Sequence, residues 1–168
     1  MILVDTSAWI EFLRDTGSPV CDLVDELLER EIAICDPVRM EVFAGARDDS
    51  HLLSLRRLLA RAALIPTRAT DYEDAAALYR RCRSQGETVR RLIDCLIASV
   101  AIRAGAPILH NDADFAVLAR HTELRIYEAK GIEKPTRFPH LYHNSRESGN
   151  ILVGAATKSD KRSKGSAL

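Results

Sequence analysis

The sequence predicts an α/β domain over residues 1–130: an open parallel sheet of four to five strands with helices on both faces. Three observations carry this. Short β-branched runs alternate with amphipathic segments, and parallel strands are what helical crossovers join. Cap residues, prolines and glycines punctuate the segments at the places where helices start and stop. A hydrophobic content of 46% over 168 residues is enough for one packed core.

The elements follow in order. Ile2-Leu3-Val4 is the first strand and ends on Asp5. Ser18 caps a helix with Pro19 in its first position, and Val20, Leu23, Val24, Leu27 and Leu28 form the apolar stripe. Ile32 to Cys35 is the second strand, after which Asp36-Pro37 opens a helix by the same cap-and-proline signal, carrying Met40, Glu41 and Phe43 to a stop at Gly45 or just beyond. A leucine-rich helix (Leu52 to Leu59) leads to a short strand, Leu64-Ile65-Pro66. Thr70-Asp71-Tyr72-Glu73 reads as a capping box for a helix ending near Gly86. A further helix runs from about Thr88 to Ala104, with Gly105 as its stop. Ile108-Leu109-His110 is a strand, followed by Asn111-Asp112-Ala113-Asp114, a short helix in which Asp114 is the expected cap, and a last strand, Leu124 to Tyr127.

Composition excludes several classes. The longest apolar stretches, such as Leu96 to Ile102, fall far short of the roughly 20 residues that span a bilayer. No basic segment precedes the first apolar run and Asp5 interrupts it, so no secretory leader is expected and a cytoplasmic location follows. Cys21, Cys35, Cys82 and Cys95 form no C-x-x-C pair and sit in apolar patterns, which favours buried thiols over zinc ligands or disulfides. The formal charge of zero divides unevenly: residues 1–130 hold 17 Lys and Arg against 21 Asp and Glu, residues 131–168 hold 7 against 3. The body carries 16 Arg and one Lys, the tail three Arg and four Lys among many Ser, Gly and Asn. Residues 131–168 are therefore expected to be a flexible extension, with Ile151-Leu152-Val153 as an optional edge strand.

In an open parallel sheet, ligands gather beyond the carboxyl ends of the strands. Asp5 closes the first strand at that edge, and Asp112 lies two residues past His110 on the same edge. Glu41, in the first turns of the helix after the second strand, reaches it as well. Asp94 sits among Leu92, Ile93, Leu96 and Ile97, where an acid needs a partner or an exit to solvent. Each acid alone has an ordinary explanation as a cap or a solvated helix residue. Together they would repel one another and hold protons too tightly, a conflict that a hard divalent cation such as Mg²⁺ or Mn²⁺ removes. The chemistry this favours is metal-assisted hydrolysis of a phosphodiester.

The segments Ile2-Leu3-Val4-Asp5-Thr6-Ser7-Ala8-Trp9, Pro37 to Val42 around Glu41, Leu92 to Ala98 around Asp94, and Asn111-Asp112-Ala113-Asp114-Phe115 resemble the PIN-domain ribonucleases, a Rossmann-like fold, and most closely the VapC toxins of bacterial toxin–antitoxin modules. The resemblance covers residues 1 to about 130. It implies an Mg²⁺- or Mn²⁺-dependent endoribonuclease, a cognate antitoxin that inhibits it, and a homodimer. It makes Asp5 and Asp94 the principal metal ligands, Glu41 and Asp112 the residues completing the pocket, and Asp114 a secondary candidate. Thr6 or Ser7 is expected to hydrogen-bond a ligand carboxylate or water.

Other residues are less specific. Arg80, Arg81, Arg83, Arg90 and Arg91 read as a solvated helix face, with RNA phosphate contact as the alternative. Trp9 and Phe12 read as core, with an antitoxin-helix groove as the alternative. His140 and His143 have metal-like spacing but no third ligand nearby. A haloacid-dehalogenase-like phosphatase needs a second acid where Ser7 stands, and a response-regulator receiver needs an acid where Pro66-Thr67 follows the third strand. The non-enzymatic alternative is a member of the same fold that lacks one of the four acids and only binds a partner, and all four acids are present.

Overall fold

A computed structural model describes residues 1–128. The expected extension at 131–168, with its optional strand, His140 and His143, lies outside the described residues.

Four strands, β1 (Ile2–Val4), β2 (Ile32–Cys35), β3 (Ala63–Ile65) and β4 (Ile108–Leu109), form one sheet in the order β3-β2-β1-β4. Every pairing is parallel: Leu3 stands opposite Ala33 on one side and Ile108 on the other, and Cys35 opposite Ile65. The chain steps outward from β1 to β3, then crosses back to place β4 on the other side of β1. The order therefore reverses between β1 and β4, and a crevice opens beyond the carboxyl ends of those two strands. With right-handed crossovers, the helices before and after that reversal cover opposite faces. A fifth strand over 124–127 does not form. Ile126 makes an isolated parallel bridge to Ile108, because a two-residue β4 offers little to pair with.

Seven helices complete the described residues: α1 (Thr6–Leu13), α2 (Pro19–Leu27), α3 (Asp36–Ala44), α4 (Asp49–Leu59), α5 (Ala69–Ser84), α6 (Leu92–Ala104) and α7 (Ala113–His121). Ser18 caps α2 through the Cys21 amide, and Gly105 ends α6 in the left-handed conformation (φ 61°), both as the sequence indicates. The core runs through the sheet and both helix layers, with Trp9, Leu3, Val4, Ile97, Ile108, Phe115 and Leu118 fully buried. Trp9 is thus core, with Phe12 edge-on against it at 6.1 Å. Phe115 and Leu118 fasten α7 beside the crevice, each contributing ~1.5–3 kcal/mol by burial.

Five local expectations need correction. Helix α1 was not foreseen: Asp5 caps it by accepting the Ser7 amide, so the strand end is also a helix start. Helix α3 is preceded by Cys35 and contains Asp36, whose carboxylate instead accepts from the Thr67 amide and Arg39. Helix α5 begins two residues earlier than the Thr70 box implies; Asp71 is its third residue and accepts from the Arg68 amide at 2.7 Å. Helix α6 begins at Leu92 rather than Thr88, because the preceding segment is pinned by buried Val89 and by Arg90. Asp112, not Asp114, caps α7, accepting from the Asp114 amide at 3.0 Å.

Candidate active site

The crevice at the β1/β4 reversal is a cavity of about 180 Å³ lined by Asp5, Thr6, Ser7, Ile10, Glu11, Glu41, Arg91, Asp94, Asn111 and Asp112. Four separate elements deliver its acids. Strand β1 ends on Asp5, whose amide donates to the Leu109 carbonyl and so locks this acid to β4. Glu41 rises from the second turn of α3, and Asp94 from the first turn of α6. Asp112 follows β4 at the start of α7.

Three of the four carboxylates have one oxygen held. Ser7 donates its amide (2.8 Å) and hydroxyl (2.6 Å) to Asp5 Oδ2, and the same hydroxyl accepts from the Asn111 amide at 2.8 Å. Ser7 thereby ties the loop bearing Asp112 to the acid on β1. Thr6 donates its hydroxyl to Glu41 Oε2 at 2.6 Å. Both expected hydroxyl contacts are thus made, one to each of two acids. Asp112 Oδ1 accepts from Arg90 Nη2 at 2.5 Å as well as from the Asp114 amide.

The remaining oxygens are the informative ones. Asp5 Oδ1 and Asp94 Oδ2 are buried with no hydrogen-bond partner. Burial first, then the Glu41 charge, pushes Asp5 up to about 6 despite the Ser7 bonds. Burial pushes Asp94 up to about 7, helped by the charges of Asp5, Asp112 and Asp114. A buried acid oxygen without a partner is costly unless a proton or a cation satisfies it.

Among the described residues no three His, Cys, Asp or Glu side chains are already gathered tightly enough to hold one ion. That fits like charges kept apart by Thr6, Ser7 and Arg90. It also fits Mg²⁺, which keeps several waters and takes only one or two protein carboxylates alongside substrate phosphate. The donors are all hard oxygens, and Asp5 and Asp94, each with an orphaned oxygen, line one crevice, so the residues fit such a cation.

Asp114 does not line the cavity. Both of its oxygens accept from Arg90, one from the backbone amide (2.7 Å) and one from Nε (2.9 Å). Of the arginines singled out in the sequence, Arg91 borders the cavity, Arg90 is held by acids, and Arg80, Arg81 and Arg83 lie exposed on α5. The four cysteines are buried and form no disulfide; burial holds the Cys35 and Cys95 thiols up at about 12, so they stay protonated. Two polar lining residues were missed. Glu11, held by the Thr16 hydroxyl, sits on the unforeseen α1, and the run Ala8-Trp9-Ile10-Phe12 after Asp5 was the signal for that helix. Asn111 lay inside a recognised motif, but the donation of its backbone amide to Ser7 depends on backbone direction.

The PIN domain family model matches residues 2–121. At 50% identity over 129 residues, the chain is similar to ribonuclease VapC11 of Mycobacterium tuberculosis and to a VapC ribonuclease of Mycobacterium bovis, in each case over 74% of this chain and 96% of the relative. It is also similar to VapBC2 of Rickettsia felis bound to a DNA fragment from its promoter, with a TM-score of 0.62 and 20% identity, covering 77% of this chain and 100% of that one. That last likeness is one of fold. The sheet order, the four acids at its reversal and the match over nearly the whole described region agree: this chain belongs to the PIN domain family.

Proposed function

We propose that this chain is an endoribonuclease that hydrolyses RNA phosphodiester bonds with Mg²⁺ or Mn²⁺ and acts as the toxin of a toxin–antitoxin pair. The observation that carries the reading is the pair of buried, unpartnered oxygens on Asp5 and Asp94, two residues that line one crevice. The half-identical ribonucleases support the substrate class. A cognate antitoxin, a homodimer and a cytoplasmic setting belong to the same reading, and no described helix is long and apolar enough to cross a membrane.

Asp5 and Asp94 would hold the cation, with Glu41 and Asp112 completing the pocket. When bound, the cation offsets the carboxylate charge and acts as a Lewis acid toward the scissile phosphate. The chain's own residues supply position. Ser7 fixes Asp5 through Oδ2 and leaves Oδ1 for the ligand. Thr6 fixes one oxygen of Glu41, so the helix-borne acid enters the pocket in a set orientation. The cap bond on Asp112 does the same from the far side. Preorganised groups of this kind lower the barrier because they need not reorganise as charge develops.

The test is cleavage of RNA by the wild type and by the double variant Asp5→Asn, Asp94→Asn with Mg²⁺, with Mn²⁺ and with chelator. Loss of at least ~10³-fold in the variant and in chelator is expected, on the scale of removing a major transition-state stabiliser. Equal cleavage by both proteins, or none with either metal, overturns the proposal.

A further inference from the structure

Arg90 is the feature of the crevice that this reading does not use. It stands in the irregular segment before α6, with buried Val89 on one side and Arg91 on the other. Its backbone amide and Nε grip the two oxygens of Asp114, whose side chain is only 5% exposed. That grip uses up Asp114 and aims the guanidinium at the crevice, where Nη2 reaches Asp112 Oδ1 at 2.5 Å. The Arg90 side chain is nevertheless 64% exposed.

A guanidinium has five N–H donors and stays charged at any ordinary pH. Two of the five are engaged here, one on each acid. The other three, on a side chain largely exposed and bonded to the lining residue Asp112, belong to a rigid fork that suits phosphate oxygens. The positive charge sits on one of the acids expected to complete the cation pocket. An internal cation on Asp112 and an incoming divalent cation compete for the same carboxylate. An RNA phosphate beside the crevice offers Arg90 an alternative partner.

We infer that Arg90 is an exchangeable counter-charge: it holds Asp112 until a phosphate of the RNA strand takes its guanidinium, so that RNA and the divalent cation bind cooperatively. Asp114 is the anchor that keeps Arg90 at the crevice when it changes partner. The inference rests on the reading of the crevice as a cation and RNA site, and it assigns Arg90 a positioning role coupled to phosphate binding. The exposed setting makes the coupling modest, about 3–10-fold in cation affinity.

The experiment measures Mn²⁺ binding to the full chain by the electron paramagnetic resonance signal of free Mn²⁺. It is done with and without a nuclease-resistant phosphorothioate 2′-O-methyl oligonucleotide, for the wild type, Arg90→Met and Arg90→Lys. In the wild type the oligonucleotide should tighten Mn²⁺ binding about 3–10-fold. Arg90→Met should bind Mn²⁺ tighter than wild type without oligonucleotide and gain little from its addition. Arg90→Lys, which keeps the charge but not the fork, should fall between the two, and it retains a cation beside Asp114 if the methionine variant folds poorly. A purely structural role for Arg90 would loosen the crevice and weaken Mn²⁺ binding in both variants, which overturns the inference. It is equally overturned if the oligonucleotide strengthens binding as much in Arg90→Met as in wild type, or not at all in wild type. A wild type that binds no Mn²⁺ refutes the cation reading itself, and so is distinguishable from failure of the Arg90 inference.

Discussion

Two buried acids in this molecule have opposite fates. Asp71, between α5 and α6, is fully buried, yet Arg103 reaches it through Nε (2.7 Å) and Nη2 (2.9 Å), and the Arg68 amide adds a third bond. Although burial pushes its carboxyl up, those bonds outweigh it and hold Asp71 below the usual range. Asp94, also buried, has an oxygen with no partner and is pushed up to about 7. The same residue type at similar depth is a structural tie in one place and an unmet demand in the other. What separates them is whether the fold supplies a donor to every buried oxygen, and it withholds one from Asp5 Oδ1 and Asp94 Oδ2 alike.

Breaking the satisfied acid should produce the larger change in stability. Asp71→Ala leaves the Arg103 guanidinium, only 21% exposed, without its partner, and frees the Arg68 amide at the start of α5. Removing one member of such a pair costs ~3–5 kcal/mol. Urea denaturation should show that loss, while RNA cleavage per folded molecule changes less than about 2-fold because Asp71 does not border the crevice. A stability loss under ~1 kcal/mol would mean the α5–α6 packing, not the ion pair, carries this contact.

The unsatisfied acid should show the reverse sign with pH. Asp94 binds its proton more tightly folded than unfolded, so between about pH 4 and pH 7 the native state holds the extra proton. Its contribution to stability is full below the unfolded value near 4 and is lost as pH rises through about 7. Asp71, held low, contributes above its unfolded value and loses that contribution as the solution is acidified. In chelator, Asp94→Asn should therefore be more stable than wild type at pH 8, by ~1–2 kcal/mol after allowance for solvent screening, with the difference vanishing near pH 4. Thermal melts at the two pH values measure it. Parallel behaviour of the two proteins would show that Asp94 finds a donor in solution.

Much of this was readable in the sequence, for physical reasons that also explain the gaps. Asp5 and Asp94 stand out because each interrupts an apolar run, and burial of a charge leaves a mark in one dimension. The parallel sheet follows from alternation of short strands and helices, and the β1/β4 crevice from where the order must reverse. Contacts that depend on three-dimensional closure leave no such mark. Arg90 meets Asp112 and Asp114 across a separation of more than 20 residues, through a segment that is neither helix nor strand. The cap of α7 slipped in register because Asp112 and Asp114 compete for the same role and only the backbone turn decides between them, whereas α3 and α5 start behind Cys35 and Arg68, residue types that give no cap signal. Helix α1 was hidden by the strand signal that runs directly into it.

Glu41 lies between the two extremes, and the smallest expected effect tests that position. One of its oxygens is held by the Thr6 hydroxyl at 2.6 Å. If the crevice works by holding one oxygen of each acid and freeing the other, loss of this single donor should loosen Glu41 without unfolding anything. Thr6→Val keeps the shape and removes the donor, so cleavage should fall about 3–10-fold, equivalent to ~1 kcal/mol, while stability stays within about 1 kcal/mol of wild type. Thr6→Ser keeps a hydroxyl at the same position and should recover most of the rate. A fall in Thr6→Ser with none in Thr6→Val would place the effect in the lost methyl packing of α1 rather than in the hydrogen bond. The distinction matters because Thr6 and Ser7 are adjacent residues serving different acids: one serine fixes the strand-borne Asp5, one threonine the helix-borne Glu41, and together they set the spacing between two walls of the crevice.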